Sequence, residues 1–230
     1  METVYDRTKL LIGKDGIDNL KRKAVIVFGL GGVGGMAVEA LVRAGVGNIS
    51  LVDYDTINIT NINRQIIALH SNIGQKKVSE MKKRINDINP DINVKAFDSK
   101  LTYDNVKTFA LQDYDFIVDA IDDVSAKIVL IKEAYNLKIP IVSSMGAGDK
   151  INPEKLSLQK IKNTDTCPLA KSVRGKLRKE GIEDLIVVCS SEKPERMVPR
   201  SEQNDTSSIS FVPTAAGLLL AKHVIISLLR

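Results

Sequence analysis

The sequence predicts an α/β protein with a doubly wound, Rossmann-like, mostly parallel sheet, helices on both faces, and a C-terminal strand and helix extension. Two observations predict this fold. Short β-branched runs alternate with helical segments up to about residue 148. The run at 25–35, VIVFGLGGVGG, passes from a strand through a glycine-rich turn into a helix. We expect a single domain over 1–230, with a core at 1–148 and an extension at 149–230.

The elements of the core follow from periodicity and composition. Residues 24–30 and 48–55 are continuous apolar runs, typical of strands buried on both faces. The helical segment between them ends at Gly45. Residues 75–89 carry apolar side chains at helical spacing and stop before Pro90. The same patterns predict three more strands and a helix, at 92–97, 115–122, 138–144 and 124–137.

Beyond residue 148 the alternation weakens. Two short strands, at 155–161 and 185–190, are predicted on either side of a basic helix at 168–180. The segment 191–208 is polar and contains prolines, so we expect a mobile loop there. The run 209–229 predicts a strand followed by a final helix.

The composition, 43% hydrophobic and 27% charged, is typical of a globular protein. The charged N-terminal residues do not resemble a signal peptide. Lys222 and His223 interrupt the longest apolar run, which we therefore expect to be a packed helix and not a membrane span. Two cysteines, Cys167 and Cys189, are too few for a disulfide framework or a four-cysteine zinc site. We expect a cytoplasmic protein with no membrane partner.

The net charge of +5 is concentrated in one segment. Residues 150–200 carry 12 Lys and Arg against 7 Asp and Glu, whereas the charges cancel on either side. Such a local surplus favours a polyanionic partner. Lys171, Arg174 and Arg178 are spaced to share one face of the predicted helix, so we expect them to bind nucleic acid. The simpler alternative is a solvated helix face.

The glycine-rich turn predicts a nucleotide ligand. Gly29, Gly31 and Gly34 follow a strand and open a helix, so backbone N–H groups can approach phosphates. Asp53, at the end of the second predicted strand, is placed to bind ribose hydroxyls. Any adenine nucleotide presents the same ribose and phosphates, so these residues alone do not distinguish ATP from NAD.

Three charged residues favour ATP. Transfer of a nucleotidyl group requires cations that neutralise the α-phosphate and the departing pyrophosphate, usually with Mg²⁺ held by a carboxylate. Arg64 closely follows the ribose acid, Lys77 starts the next helix and Asp122 ends the fourth strand. In a doubly wound sheet these positions converge at the carboxyl ends of the strands. We therefore predict that the site binds ATP and Mg²⁺, and that Asp122 helps to hold the metal ion. An NAD-dependent dehydrogenase is the rival class, disfavoured by these charges and by the lack of a catalytic His or Tyr–Lys pair.

The motifs GLGGVGG, LVDYDTINITNINRQ, GQKKV and DAIDD together resemble the ubiquitin-activating-enzyme-like adenylation superfamily of ThiF, MoeB and HesA type. The resemblance implies a homodimer in which Arg7 enters the neighbouring subunit's site and acts in catalysis with Arg64, Lys77 and Asp122. It also implies a larger set of ATP-binding residues, namely Gly29, Gly31, Gly32, Gly34, Asp53, Asp55, Asn61, Asn63, Arg64, Gln65, Lys77 and Asp122.

The C-terminal part resembles one branch of that superfamily more closely. The segments at 143–161, 164–182 and 208–221 are similar to the tRNA threonylcarbamoyladenosine dehydratase family. That resemblance implies ATP-dependent cyclisation of N6-threonylcarbamoyladenosine in tRNA through adenylation of its carboxylate. The alternative is adenylation of the C-terminus of a small ubiquitin-like sulfur carrier, although the paired CxxC zinc motifs of those branches are missing. Whether a sulfur-relay protein assists the reaction is left open.

Cyclisation of this kind requires no nucleophile from the enzyme, because the attacking atom belongs to the substrate. Cys167 is therefore interpreted as a small residue before Pro168, with a transient thioester as the alternative. Cys189 ends an apolar strand and is expected in the core. His70 and His223 lack a set of partners, and we assign them no role.

Overall fold

A seven-stranded sheet forms the centre of the structure. The computed structural model describes residues 2–199, 201–202 and 205–230. The strands are β1 (Ala24–Phe28), β2 (Asn48–Asp53), β3 (Asn93–Asp98), β4 (Phe116–Asp119), β5 (Ile141–Ser144), β6 (Leu156–Lys160) and β7 (Ile186–Ser190). They are ordered β3-β2-β1-β4-β5-β7-β6, and only β6 runs antiparallel to its neighbour. The parallel, doubly wound sheet predicted from the sequence is confirmed.

The described part of the chain contains six helices, which pack around the sheet and against one another. They are α1 (Asp6–Arg22), α2 (Gly32–Ala44), α3 (Lys77–Ile88), α4 (Val124–Asn136), α5 (Pro168–Arg178) and α6 (Phe211–Leu228). Short 3₁₀ turns lie at 59–61, 70–72, 106–109, 111–113, 153–155 and 161–163. All the predicted helices are present, and the predicted strands are present except the one at the start of the run 209–229.

The side chains of β1 alternate between two apolar cores, which is why this strand is a continuous apolar run. Val25 and Val27 belong to the core covered by α2, α3 and α6. Ile26 and Phe28 belong to the core covered by α4 and α5. The sheet is therefore buried on both faces, with its carboxyl edge left open between the two helical layers.

Helix α6 packs against α2 at close range. A Cβ added to Gly217 would lie 2.3 Å from the carbonyl oxygen of Val33, so the contact requires glycine. Among the described helices, α6 alone is long and apolar enough to cross a membrane by length and composition. In the structure, however, its buried side is part of the core, through Val212, Pro213, Ala216, Gly217, Leu220, Ala221, Val224 and Leu228.

Two details of the sequence prediction were wrong, and one helix was not predicted. Strand β4 ends at Asp119, where its pairing with β1 and with β5 also ends. Asp122 therefore lies in the loop that follows β4. Residues 209 and 210 do not form the predicted strand, and α6 begins at Phe211, with Pro213 tolerated in its first turn. Helix α1 was not predicted: it bends at Gly13 (φ +76°) and leaves apolar side chains exposed.

Candidate functional site

A cavity of about 890 Å³ opens at the carboxyl edge of the sheet. One wall consists of the glycine turn after β1 and the polar loop after β2. The other wall consists of the loops after β4 and β5, the start of α5 and part of the segment 194–208. The nucleotide-binding core and the C-terminal extension that we predicted thus share one cavity.

The glycine turn is shaped by close contacts. Gly29 has a φ of +87°, and a Cβ added there would lie 2.7 Å from the carbonyl oxygen of Ala120. A Cβ added to Gly34 would lie 1.8 Å from the carbonyl oxygen of Gly29. At Gly31, by contrast, the nearest atom to an added Cβ is Gln65 Nε2 at 4.0 Å. The turn therefore keeps an open space at the N-terminus of α2, where unpaired N–H groups attract phosphate.

Asp53 joins the glycine turn to the loop after β2. Its Oδ2 accepts a hydrogen bond from the Leu30 N–H at 2.6 Å, and its Oδ1 accepts one from the Asp55 N–H at 2.8 Å. Burial raises the pKa of the Asp53 carboxyl, against the lowering effect of these N–H groups and of Lys77. Asp53 lines the cavity where the ribose-binding acid was predicted.

Lys77 is the first residue of α3 and is almost completely buried. Its Nζ lies 2.7 Å from Asp55 Oδ2, and both residues line the cavity. The carboxylate compensates the charge of the buried lysine. The pair therefore keeps a cation ready beside the glycine turn.

The loop after β2 places Arg64 on the cavity wall. Arg64 Nη1 donates to the carbonyl oxygen of Thr60 at 3.0 Å and to Asn63 Oδ1 at 2.9 Å. Burial lowers the pKa of the Arg64 guanidinium, which stays charged because its ordinary pKa is so high. Asn61 Oδ1 accepts from the Asn58 N–H at 3.0 Å and so stabilises the turn itself.

Two further residues of this loop complete the wall. Asn63 Nδ2 donates to the carbonyl oxygen of Ser208 at 2.9 Å, which links the loop to the C-terminal segment. Gln65 is buried, and its Oε1 has no hydrogen-bond partner among the described residues. A buried amide oxygen without a partner is costly, and it lies where the cavity would receive a ligand. The residues present therefore fit an adenine nucleotide.

Asp122 is exposed and lines the cavity in the loop after β4. The described residues contain no group of three or more His, Cys, Asp or Glu side chains that could hold a metal ion. Mg²⁺ is normally held by one or two carboxylates together with phosphate oxygens, so a single acid beside a triphosphate fits this ion.

A buried ion pair below this loop was missed by the sequence analysis. Lys127 and Asp119 are both fully buried, with Nζ and Oδ2 2.8 Å apart. Ser143 Oγ donates to the same Oδ2 at 2.5 Å, and Asp119 Oδ1 accepts from the Ile121 N–H at 3.1 Å. The pair thus ties β4, β5 and α4 together under the loop that carries Asp122. From the sequence, a lysine on a helix is expected in solvent.

The loop after β5 supplies residues that the sequence analysis did not assign. Lys150 is buried on the cavity wall, and its Nζ donates to the carbonyl oxygens of Gly146 and Gly148 at 2.8 and 3.2 Å. Asp149 Oδ1 accepts from the Ser207 N–H and Oγ at 2.9 and 2.7 Å. These bonds hold a described part of the predicted mobile loop 191–208 against the cavity. No clear signal for them was present in the sequence, because four apolar or small residues separate Asp149 and Lys150 from the predicted strand at 138–144.

Both cysteines are buried, and Cys167 lies on the cavity wall at the start of α5. A hydrogen bond from Cys189 lowers the pKa of the Cys167 thiol, with help from backbone N–H groups and Lys150, against burial. The same coupling and burial raise the pKa of Cys189. Cys189 is a core residue, as the sequence indicated.

Four predicted residues lie outside the cavity of their own chain. Arg7 is exposed on α1, and Lys171 and Arg178 are exposed on α5. Arg174 differs from the expectation of a shared exposed face, because it is half-buried and donates to the carbonyl oxygen and the hydroxyl of Thr164. It follows Ala170 by four residues, on the side of α5 that packs on the core.

Comparison with known proteins agrees with this geometry. The ThiF family model matches residues 5–230. A tRNA threonylcarbamoyladenosine dehydratase from Bacillus subtilis is 43% identical, over 98% of this chain and 94% of its own. Two crystal structures of the Escherichia coli enzyme TcdA, in complex with ATP and with AMP, each give a TM-score of 0.90 at 31% identity. The match to the ATP complex covers 97% of this chain and 93% of the TcdA chain. The match to the AMP complex covers 99% of this chain and 97% of the TcdA chain.

The fold and the cavity are those of a doubly wound nucleotide-binding protein. The chain belongs to the ThiF family. The family resemblance stated from the sequence motifs is confirmed.

Proposed function

We propose that the protein is an ATP-dependent tRNA threonylcarbamoyladenosine dehydratase, which converts N6-threonylcarbamoyladenosine in tRNA to its cyclic form. One observation carries the proposal: the similarity to the Bacillus subtilis dehydratase spans both walls of the cavity, 98% of the chain in all. A relative that shared only the nucleotide wall would support ATP binding and nothing about the acid that is activated.

The reaction needs an acid and a nucleotide held side by side. A carboxylate oxygen attacks the α-phosphorus of ATP, pyrophosphate leaves, and an acyl-adenylate forms. An atom of the same modified nucleoside then attacks the acyl carbon and releases AMP, so that the nucleoside loses one water overall. The enzyme contributes positioning and charge stabilisation, with no covalent bond to the protein.

The nucleotide wall supplies the groups that this chemistry requires. The glycine turn, with Gly29, Gly31, Gly32 and Gly34, offers backbone N–H groups to phosphate oxygens. Asp53 binds the ribose. Arg64 and Lys77 stabilise negative charge on the α-phosphate and on pyrophosphate as the P–O bond breaks. Asp55 and Asn63 hold these cations in place, Asn61 stabilises the loop, and Gln65 offers its amide oxygen to the nucleotide.

Magnesium would be held by Asp122 together with phosphate oxygens of ATP. When bound, it would supply additional positive charge to the leaving pyrophosphate. The exposed position of the Asp122 carboxylate on the cavity wall supports this assignment.

The substrate nucleic acid would contact the exposed cations of the C-terminal extension. Lys171 and Arg178 lie on the outer side of α5, in the segment that holds the surplus positive charge. Because Arg174 is bound to Thr164, its part in nucleic-acid binding would be to support the helix. A homodimer, with Arg7 acting in the neighbouring subunit's site, is part of the same proposal.

The decisive experiment incubates the protein with ATP, Mg²⁺ and tRNA that carries N6-threonylcarbamoyladenosine, followed by mass spectrometry of the digested nucleosides. We expect a product lighter by one water, with one AMP released per product. AMP release without a change in the tRNA would contradict the proposal. Adenylation of a ubiquitin-like protein's C-terminus in a parallel reaction would favour the alternative function, whose ATP site is the same.

A further inference from the structure

Three lysines are buried in the part of the chain that the structure describes, and one of them differs from the others. Lys77 and Lys127 each have a carboxylate oxygen within 2.8 Å of Nζ. Lys150 donates only to the carbonyl oxygens of Gly146 and Gly148, and no described carboxylate lies within 4 Å of its Nζ. Buried charges in proteins are normally paired. Lys150 is therefore a buried ammonium group on the cavity wall that has no carboxylate partner among the described residues.

The position of Lys150 separates it from the nucleotide phosphates. It follows β5, whereas the glycine turn follows β1, and β4 lies between these two strands. Neighbouring strands are about 4.8 Å apart, so the two loops begin about 10 Å from each other along the sheet edge. Arg64 and Lys77 lie beyond β1 on the far side, after β2. Lys150 thus lies on the side of the cavity that remains for the acid.

The surroundings of Lys150 favour negative charge. The thiol of Cys167 has a lowered pKa because Cys189 donates a hydrogen bond to it and because the N–H groups of Ala170 and Gly146 and the Lys150 ammonium lie close by. The same N–H groups and the same cation would stabilise a carboxylate oxygen placed beside them. The N-terminus of α5, eleven residues long, opens at this place.

We propose that Lys150 binds the carboxylate of the acid that the enzyme adenylates and holds it toward the α-phosphate. This inference rests on the proposed function and adds a substrate-binding residue to it. In the adenylation step the carboxylate oxygen forms a bond to the α-phosphorus while the bond to pyrophosphate breaks. The acyl group then carries no charge, so its interaction with the Lys150 ammonium group becomes weaker before the ring closes.

The test compares two anticodon stem-loop RNAs that differ in one group. One carries N6-threonylcarbamoyladenosine, and the other carries its carboxamide, which has the same shape and no charge. Binding to the parent protein is measured by fluorescence anisotropy, and ATP binding by calorimetry. We expect the parent to prefer the acid by roughly 10-fold to 150-fold, the typical contribution of a hydrogen bond to a charged group. Lys150→Met should abolish this preference and leave affinities for the carboxamide and for ATP nearly unchanged.

Two control variants make the outcome specific. Lys150→Arg keeps the charge and should keep part of the preference. Cys167→Ser keeps the size of the neighbouring side chain, removes its ionisable sulfur, and should prefer the acid at least as strongly as the parent. Loss of the preference in Cys167→Ser would transfer the recognition from the lysine to the sulfur and overturn the proposal.

Three results with Lys150→Met would also overturn it. These are a retained preference for the acid, an equal loss of affinity for both RNAs, and a loss of ATP affinity with the preference intact. The second result would indicate a lysine that only supports the loop, and the third a phosphate ligand. If the parent binds ATP but neither RNA, the proposed function fails, and this outcome differs from all three.

Discussion

Substitution of Gly31 by alanine tests where the phosphates bind. A Cβ at this position would meet nothing closer than Gln65 Nε2 at 4.0 Å, and the backbone has φ −69° and ψ −159°, which alanine adopts without strain. The protein should therefore fold as the parent does. The added methyl group, however, would occupy the space at the N-terminus of α2 where a phosphate oxygen would accept N–H bonds.

The expected magnitude follows from those bonds. A hydrogen bond to a charged group contributes about 1.5 to 3 kcal/mol, so displacing one phosphate contact should weaken ATP binding by roughly 10-fold to 150-fold. Gly34→Ala is the matched control, because its methyl group would lie 1.8 Å from the carbonyl oxygen of Gly29. Overpacking of this kind costs about 1 to 3 kcal/mol or more, which lowers the Tm by several degrees.

The assays are calorimetric titration with ATP and thermal unfolding without ligand. Gly31→Ala should lose ATP affinity at an unchanged Tm, whereas Gly34→Ala should lose stability. If Gly31→Ala binds ATP as tightly as the parent, the phosphates do not lie against this turn. If Gly34→Ala is as stable as the parent, the reasoning from close contacts is wrong.

Three other predictions concern charged residues. Arg64→Ala should lower the rate of cyclisation by roughly 10²-fold to 10³-fold and change ATP affinity less, and equal single-turnover rates would remove Arg64 from the mechanism. Mixing inactive Arg7→Ala and Arg64→Ala protomers should restore partial activity, and no recovery after confirmed subunit exchange would exclude a shared site. Replacing Lys171 and Arg178 by Gln should weaken tRNA binding and reduce its log–log salt slope by about two, which filter binding across a salt series would detect. An unchanged slope would mean that Lys171 and Arg178 belong only to a solvated helix face. The variant Arg174→Gln, in contrast, should lower the Tm of the protein.

The central strands of the sheet could be predicted because their side chains are surrounded by mostly apolar groups along the whole length of each strand. Strands buried on both faces appear as continuous apolar runs, and the glycine turn requires glycine for local reasons that the sequence shows directly. Strand boundaries depend on neighbours instead. Asp119 pairs with the last residue of β1, Phe28, and the strand pairing of β4 ends there, so apolar Ile121 lies outside the sheet.

Helix α1 and the buried lysines were not predictable for a related reason. Leu10 and Leu11 are 82% and 85% exposed, so the apolar pattern of α1 does not mark the side that packs. Lys127 and Lys150 are hydrophilic in the sequence, and only the folded loops and strands around them remove them from water. Where a charge is buried by distant parts of the chain, local pattern contains no signal for it.

The loop after β2 shows how a sequence signature can combine ligand binding with assembly of the site. Asn63 accepts a hydrogen bond from Arg64 and donates one to the carbonyl oxygen of Ser208, at 2.9 Å in each case. Asp149, on the opposite wall, accepts from Ser207. Residues 207 and 208 therefore contact both walls, and the position of the Arg64 guanidinium depends on the C-terminal segment being in place. In the proposed mechanism this segment would border the acid, so the acid's site and the cation assigned to the α-phosphate would share the same supporting groups.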